Sequence, residues 1–109
     1  QQKSNMDNLE TAKKYYEGWE TSDKELLNVS ADLKFFSPDG NFSGAKEFLD
    51  QCWQFSGVKF QNKIFLSGGD FVAVKYGFPM TDGTFKPIVE WLTIKEGLIT
   101  EIQVYYEKS

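Results

Sequence analysis

The sequence predicts an α+β domain in which a curved antiparallel sheet forms a cone around three N-terminal helices. Helical patterns occupy the first half of the chain, period-two alternation fills the second half, and short glycine-containing turns separate the strands. In this class the helices collect on one face of the sheet, and the sheet closes over them. The length of 109 residues predicts one domain that spans positions 1–109.

Three segments have helical patterns, at about 5–20, 23–29 and 44–55. In the first, apolar residues recur at spacings of three and four, as they do on the core-facing side of a helix. Gly18 is costly inside a helix, and we expect it to permit the close approach of another element. A short strand at 33–36 separates the second and third helices.

Four strands follow from residue 58 onward, and their turns determine which side chains face inward. Asp82-Gly83 and Glu96-Gly97 each fit a two-residue hairpin loop, whereas 68–70 fits a three-residue loop. Because side chains alternate between the two faces, each loop length fixes the register of the next strand. The predicted inner face is apolar and aromatic: Val72, Val74, Tyr76, Phe78, Val89, Trp91, Ile102, Val104 and Tyr106.

The predicted outer face is mixed in character. It places Lys75, Glu90 and Glu101 outside the core. Its apolar residues lie together on two neighbouring strands, and a contiguous apolar patch usually marks an interface. We therefore expect a homodimer through the outer sheet face, centred on Leu92 and Ile94.

The composition excludes several classes of function. The chain has no histidine, all 12 basic residues are lysine, and the formal net charge is −4 with no basic cluster. Nucleic acid and membrane surfaces are therefore not expected as partners. Cys52 is the single cysteine, and without a histidine or a second thiol no metal site is expected. No bound cofactor is expected either. The compartment stays open: a cytoplasmic location is the default, and export is the alternative if Gln1 follows a cleaved signal peptide.

Three segments in order, 14–23, 37–44 and 95–107, carry a resemblance to a known superfamily. They read KYYEGWETSD, SPDGNFSG and KEGLITEIQVYYE. Their order and spacing resemble the nuclear-transport-factor-2-like superfamily, which includes the ketosteroid-isomerase-like and SnoaL-like families. The resemblance implies a cone-shaped α+β fold with a pocket inside the sheet. Proteins that resemble this fold often dimerise through the sheet. It does not determine the function, because this fold hosts many functions.

The active sites that the resemblance implies are not retained in this sequence. In ketosteroid-isomerase-like enzymes a helix tyrosine, a strand acid and a base before a Pro-x-Gly turn act together. Tyr15 matches the tyrosine, Ser37 stands at the base, and Val89 stands at the strand acid. A serine without histidine is a poor base at neutral pH. Sites resembling those of SnoaL-like cyclases, scytalone dehydratases and limonene-epoxide hydrolases need histidine, inward aspartate or arginine, which this pattern does not supply.

The sequence therefore predicts an uncharged aromatic pocket that binds a small apolar or aromatic ligand. One alternative is an isomerase, cyclase or dehydratase that uses Tyr15 with Asn62 or Asp39. Another is a dimeric interaction module without a ligand, and the bulky aromatics then serve only as core. Asn62 also fits a β-bulge. The predicted ligand-binding residues are Tyr15, Trp19, Ser37, Trp53, Asn62, Tyr76, Val89, Trp91, Ile102 and Tyr106.

Overall fold

The computed structural model describes residues 7–108, which form two α-helices and six strands. Single turns of 3-10 helix lie at Lys24–Leu26 and Trp53–Phe55. The elements are α1 (Asn8–Thr21), β1 (Val29–Ser37), β2 (Gly40–Ser43), α2 (Ala45–Cys52), β3 (Gln61–Gly68), β4 (Phe71–Pro79), β5 (Phe85–Lys95) and β6 (Leu98–Tyr105).

All six strands belong to one curved sheet with the order β2-β1-β6-β5-β4-β3. The predicted α+β class is confirmed, with two corrections. The sheet is mixed rather than wholly antiparallel, because β1 pairs with β6 in parallel. The second predicted helix is only the 3-10 turn at Lys24–Leu26, because Asn28 adopts a left-handed φ of 52° and β1 starts directly after it.

Gly18 lets the chain fold back closely on α1. A Cβ at this position would lie 2.7 Å from the carbonyl oxygen of Asp23 and 2.8 Å from Cδ2 of Leu27. Real side chains do not approach that closely, so only glycine permits this packing. The expected close approach at Gly18 is therefore confirmed, and the segment that approaches is the 3-10 turn with the residues on either side of it, Asp23 and Leu27.

The loop between β4 and β5 is one residue longer than predicted. Pro79 pairs with Phe85, and the amide of Met80 donates to the carbonyl of Thr84 at 2.8 Å. The loop itself is therefore 81–83, and the Asp82 carboxylate accepts the Thr84 amide at 3.0 Å. This extra residue turns every side chain of β5 to the face opposite the predicted one.

A β-bulge in β6 compensates for this shift. The two-residue turn at Glu96-Gly97 is confirmed, because Lys95 pairs with Leu98. The pairing then slips by one residue, so that Thr100 is the extra residue of a bulge. Ile102 and Val104 consequently face inward as predicted.

The predicted face assignment of β5 is wrong because of the three-residue loop at 81–83. Val89 and Trp91 are 39% and 42% exposed on the outer face. Glu90 and Leu92 are buried on the inner face, together with Ile88 and Ile94. A carboxyl group thus lies inside the cone, where the sequence pattern predicted none.

Strand β3 shows a third slip. Gly68 pairs with Phe71, so the loop to β4 has two residues rather than three. Because of this shorter loop, Ile64 and Leu66 are exposed instead of facing inward. The register shifts again between Gln61 and Ile64, where Asn62 has a φ of 55°. An asparagine with positive φ at a register shift is typical of a β-bulge. Of the interpretations of Asn62 given above, the structure therefore favours the bulge over a residue that binds a ligand.

Candidate functional site

The candidate site is a cavity of about 370 Å³ between the inner face of the sheet and the two helices. Helix α1 and the strands β4 and β5 supply its deep wall, while α2 and the β1–β2 turn supply the opposite side. The aromatic residues that line it are Tyr15, Tyr16, Trp19, Phe35, Phe42, Phe48, Phe55, Phe60, Tyr76, Phe78 and Tyr106. A volume of this size holds a small organic molecule.

Glu90 lies at the deep end of this cavity, in the middle of the sheet. Its neighbours across the ladder are Val74 on β4 and Val104 on β6. Oε1 accepts a hydrogen bond from the Tyr16 hydroxyl at 2.6 Å, and Oε2 accepts one from the Tyr76 hydroxyl. Tyr16 comes from α1, so the carboxyl group ties the helix to the sheet. Each carboxyl oxygen retains one further acceptor position.

Burial dominates the electrostatics of the deep end. Desolvation raises the pKa of Glu90, and the hydrogen bonds from Tyr16 and Tyr76 offset part of that rise. Desolvation, followed by the negative charge of Glu90, raises the pKa values of Tyr15, Tyr16 and Tyr76. These tyrosines therefore stay protonated at neutral pH.

Cys52 of α2 also lines the cavity. Burial, with a smaller effect of Glu90, raises the pKa of its thiol to about 11. A thiol with such a pKa is a poor nucleophile at neutral pH. Cys52 is therefore part of the cavity wall rather than a reactive group.

The exposed end of the cavity carries a second tyrosine–carboxyl contact. The Tyr106 hydroxyl donates to Asp39 of the β1–β2 turn, and Lys108 lies 3.6 Å from the same carboxylate. The hydrogen bond from Tyr106 lowers the pKa of Asp39. The Lys86 ammonium lies 4.5 Å from the centre of the Tyr106 ring, a cation–π contact. These charged groups form a polar rim around the opening.

The structure brings half of the predicted ligand-binding residues to the cavity: Tyr15, Trp19, Ser37, Tyr76 and Tyr106. Ser37 uses its hydroxyl to hold the turn, accepting the Gly40 amide at 3.1 Å and donating to the Gly40 carbonyl at 2.8 Å.

The other five lie elsewhere. Val89 and Trp91 are on the outer face, and Asn62 is exposed at its bulge. Ile102 is fully buried in the core, and Trp53 packs on Trp19 at 4.9 Å between ring centres. None of the five belongs to the cavity lining. The expected uncharged pocket is corrected as well, because Glu90 is in it.

Sequence reasoning missed Glu90 and the partner role of Tyr16. A signal was present in β5, where Ile88, Leu92 and Ile94 alternate and all three are buried. Glu90 lies on the same face of β5 as these three residues. Its charge made that face seem less apolar than the opposite face, which carries Val89 and Trp91. A single carboxyl among aliphatic residues on one face of a strand was thus the signal that indicated a buried functional group.

Within residues 7–108, no group of three or more histidine, cysteine, aspartate or glutamate side chains has the arrangement of a metal site. Over the same part of the chain, no helix has the length and apolar character needed to span a membrane.

Comparison with solved structures identifies the architecture. An NTF2-like protein of unknown function from Cytophaga hutchinsonii superposes with a TM-score of 0.82 at 15% identity, covering 97% of this chain and 95% of that one. The chain has the nuclear-transport-factor-2-like fold. The resemblance predicted from the sequence is thereby confirmed at the level of the fold. No protein-family model and no curated protein matches the sequence.

Two further structures with this fold were determined with small molecules. A protein with a ketosteroid isomerase-like fold from Catenulispora acidiphila, in complex with trimethylamine, has a TM-score of 0.71 at 18% identity and covers 92% of this chain and 87% of its own. TerC, co-crystallized with polyporic acid, has a TM-score of 0.75 at 18% identity and covers 92% and 91%. At these identities the likeness shows the fold alone.

Proposed function

We propose that this protein binds a small, largely apolar molecule in the cavity and orients it through Glu90. The observation that carries the proposal is the buried carboxyl group, held by two tyrosines, at the end of an otherwise aromatic cavity. Apolar walls with a few fixed polar groups are typical of ligand sites, in which burial supplies affinity and the polar groups supply orientation. The trimethylamine and polyporic acid complexes of proteins with this fold support a small-molecule role, although the two ligands differ.

A phenol is a suitable first probe because its hydroxyl can donate to Glu90 while its ring fills the cavity. We expect 4-ethylphenol to cause saturable NMR shifts of the Val104 methyl groups, which line the cavity. Ile88→Trp should weaken the binding and reduce these shifts, because the larger side chain takes up part of the cavity. Val89→Phe makes a similar enlargement one residue away on the outer face and should leave them unchanged. Wild-type protein without saturable shifts, both with 4-ethylphenol and with an alkylbenzene probe in a cationic and a neutral form, would overturn the proposal.

A second candidate function is proton transfer with Glu90 as the general base. It is favoured by the raised pKa of Glu90, since a base with a pKa closer to neutral is effective at neutral pH. The earlier alternative that used Asn62 is withdrawn, because Asn62 lies outside the cavity. Exchange of the α-hydrogens of cyclohexanone in D2O tests this candidate. Catalysis should fall by about 10²-fold or more in Glu90→Gln, and exchange no faster than in buffer would exclude this reaction.

We also propose a homodimer through the outer sheet face, with a corrected centre. Leu92 and Ile94 cannot form it, because both are fully buried in the core. The exposed apolar residues of this face are Ile64, Leu66, Phe71, Val89, Trp91 and Tyr105. Lys75 and Glu101 lie on the same face, so two copies related by a two-fold axis can pair opposite charges.

Light scattering tests the dimer. We expect twice the chain mass of 12.5 kDa for the wild type and the single mass for Trp91→Lys, which places a charge in the exposed patch. Leu92→Lys should instead unfold the protein, because its charge would be buried. A wild-type monomer at micromolar concentration would refute the dimer.

A further inference from the structure

The cavity contains a buried carboxyl group that has no buried counter-charge within the described part of the chain, residues 7–108. Among residues 7–108, none of the ion pairs includes Glu90, and its hydrogen-bond donors are the neutral hydroxyls of Tyr16 and Tyr76. Lys86 is the lysine that lines the cavity, but its ammonium is placed over the Tyr106 ring at the exposed end. An ionised Glu90 would therefore gain most from a positive charge that a ligand brings.

The rings around Glu90 suit the same kind of ligand. Tyr16 and Tyr76 lie 5.8 Å apart between ring centres, and Phe60 lies 5.5 Å from Tyr16 and 4.6 Å from Tyr76. Tyr15 packs against Tyr16 at 4.9 Å. Aromatic faces attract cations, most strongly where water is excluded. An anion would instead be repelled by Glu90, and a wholly apolar ligand would leave the carboxyl desolvated without compensation.

We propose that the ligand of this cavity is a monocation, a protonated or quaternary amine on an apolar body, whose charge lies beside Glu90 among the rings of Tyr15, Tyr16, Phe60 and Tyr76. This inference rests on the proposed binding function and specifies its ligand class. The apolar body extends toward the opening, along Phe78 and Val104. The hydroxyls of Tyr16 and Tyr76 hold the carboxyl in place for the ammonium group.

Ionisation of Glu90 is coupled to such binding. Desolvation raises the pKa of Glu90 in the free protein, and a bound cation favours the charged form and so lowers that pKa. The titratable groups that face Glu90 are Tyr15 and Tyr16 from α1, Cys52 from α2 and Tyr76 from β4, and all four have raised pKa values. None of them loses its proton near neutral pH, so Glu90 alone governs the charge of the deep end.

Two probes of nearly identical shape test the charge directly. Phenyltrimethylammonium carries a permanent positive charge, and tert-butylbenzene replaces its nitrogen with carbon. Binding of each is followed at pH 7.5 through the NMR shifts of the Val104 methyl groups, which line the cavity. We expect the cation to bind at least about tenfold more tightly than the neutral probe, a difference of about 1.4 kcal/mol.

A pair of variants assigns the preference to one residue. Glu90→Gln should weaken binding of the cation about tenfold or more and change binding of tert-butylbenzene by less than about threefold. Glu17→Gln makes the same chemical change at an exposed position on α1 and should change neither affinity.

The wild-type comparison decides the outcome without any variant. Equal affinities, or tighter binding of the neutral probe, would overturn the cation proposal and leave the binding function intact. Absence of binding for both probes and for 4-ethylphenol would overturn the binding function itself. A cation preference that persists in a folded Glu90→Gln protein would overturn the assignment to Glu90.

Discussion

Two tyrosine–carboxyl contacts lie at opposite ends of the same cavity. At the deep end, Tyr16 and Tyr76 donate to Glu90, which is 8% exposed. At the opening, Tyr106 donates to Asp39, which is exposed to solvent. The same chemical contact accompanies a raised pKa for Glu90 and a lowered pKa for Asp39.

The difference shows that solvent access determines the sign of the shift. For Asp39 the hydrogen bond from Tyr106 is the largest influence, because water still solvates the carboxylate. For Glu90 two such bonds only offset part of the desolvation. A carboxyl that lines a cavity and is costly to ionise is suited to bind a ligand or a proton. The exposed contact instead fixes the position of a turn.

The largest expected effect comes from removing the deep donors. The double variant Tyr16→Phe/Tyr76→Phe leaves Glu90 buried without a hydrogen-bond partner. We expect it to lower the free energy of unfolding by about 3 kcal/mol or more and to raise the pKa of Glu90 further. Urea denaturation at neutral pH measures the loss. Tyr106→Phe removes the corresponding hydroxyl at the opening and should lower the urea midpoint far less, because water replaces the lost donor at the exposed Asp39. Equal losses would remove the distinction between the two ends.

The two carboxyls should also give stability opposite dependences on pH. The pKa of Glu90 is raised above its ordinary value of 4.5, so its contribution is fully present below that pH and is lost as pH rises through the folded-state pKa. The pKa of Asp39 is lowered from 3.8, so its contribution is present above that pH and is lost as pH falls.

Urea midpoints between pH 3 and pH 8 measure these dependences. Relative to wild type, Glu90→Gln should gain stability as pH rises above 4.5, by about 1.4 kcal/mol for each unit of pKa shift. Asp39→Asn should lose relative stability as pH rises through 3.8. Curves that run parallel to the wild-type curve would show that neither carboxyl is perturbed by the fold.

The sequence predicted the fold class well because that prediction depends on many residues at once. The helical stripe of α1, the alternation of β4 and the turn at Glu96-Gly97 all have the predicted form. The predicted strand faces were wrong where a single additional residue in a loop or a bulge shifts the register. The loop at 81–83 and the bulge at Thr100 each shift the register by one, and together they invert β5 while leaving β6 correctly oriented.

The candidate site was predicted less well for the same physical reason. A cavity on the inner face was expected from the alternating residues of β4 and β6, which place Tyr76 and Val104 inward. Glu90 lies on β5, whose faces were assigned the wrong way round, so it was expected outside the cavity. Neither the bulge nor the loop length has a strong signature in the sequence, since Asp82-Gly83 fits loops of two or three residues. A buried carboxyl also opposes the hydrophobic pattern from which register is read.

Tyr15 allows a finer test of the deep end. It lines the cavity next to Tyr16, but its hydroxyl does not donate to Glu90 in the described structure. We expect Tyr15→Phe to weaken binding of 4-ethylphenol by about 0.5–1.5 kcal/mol, the net value of one hydrogen bond to the ligand. Tyr106→Phe should leave that affinity unchanged. An unchanged affinity in Tyr15→Phe would show that this ring only packs.

The smallest expected effect uses Cys52 as a reporter of charge at the deep end. Burial is the main cause of its pKa of about 11, and Glu90 is the second cause. Removing the charge in Glu90→Gln should therefore speed alkylation by iodoacetamide at pH 9, but by less than the roughly tenfold change that one pKa unit gives. Glu17→Gln, with the same change in net charge on the protein surface, should not alter the rate. An equal rate in wild type and Glu90→Gln would show that the charge of Glu90 does not influence the Cys52 thiol.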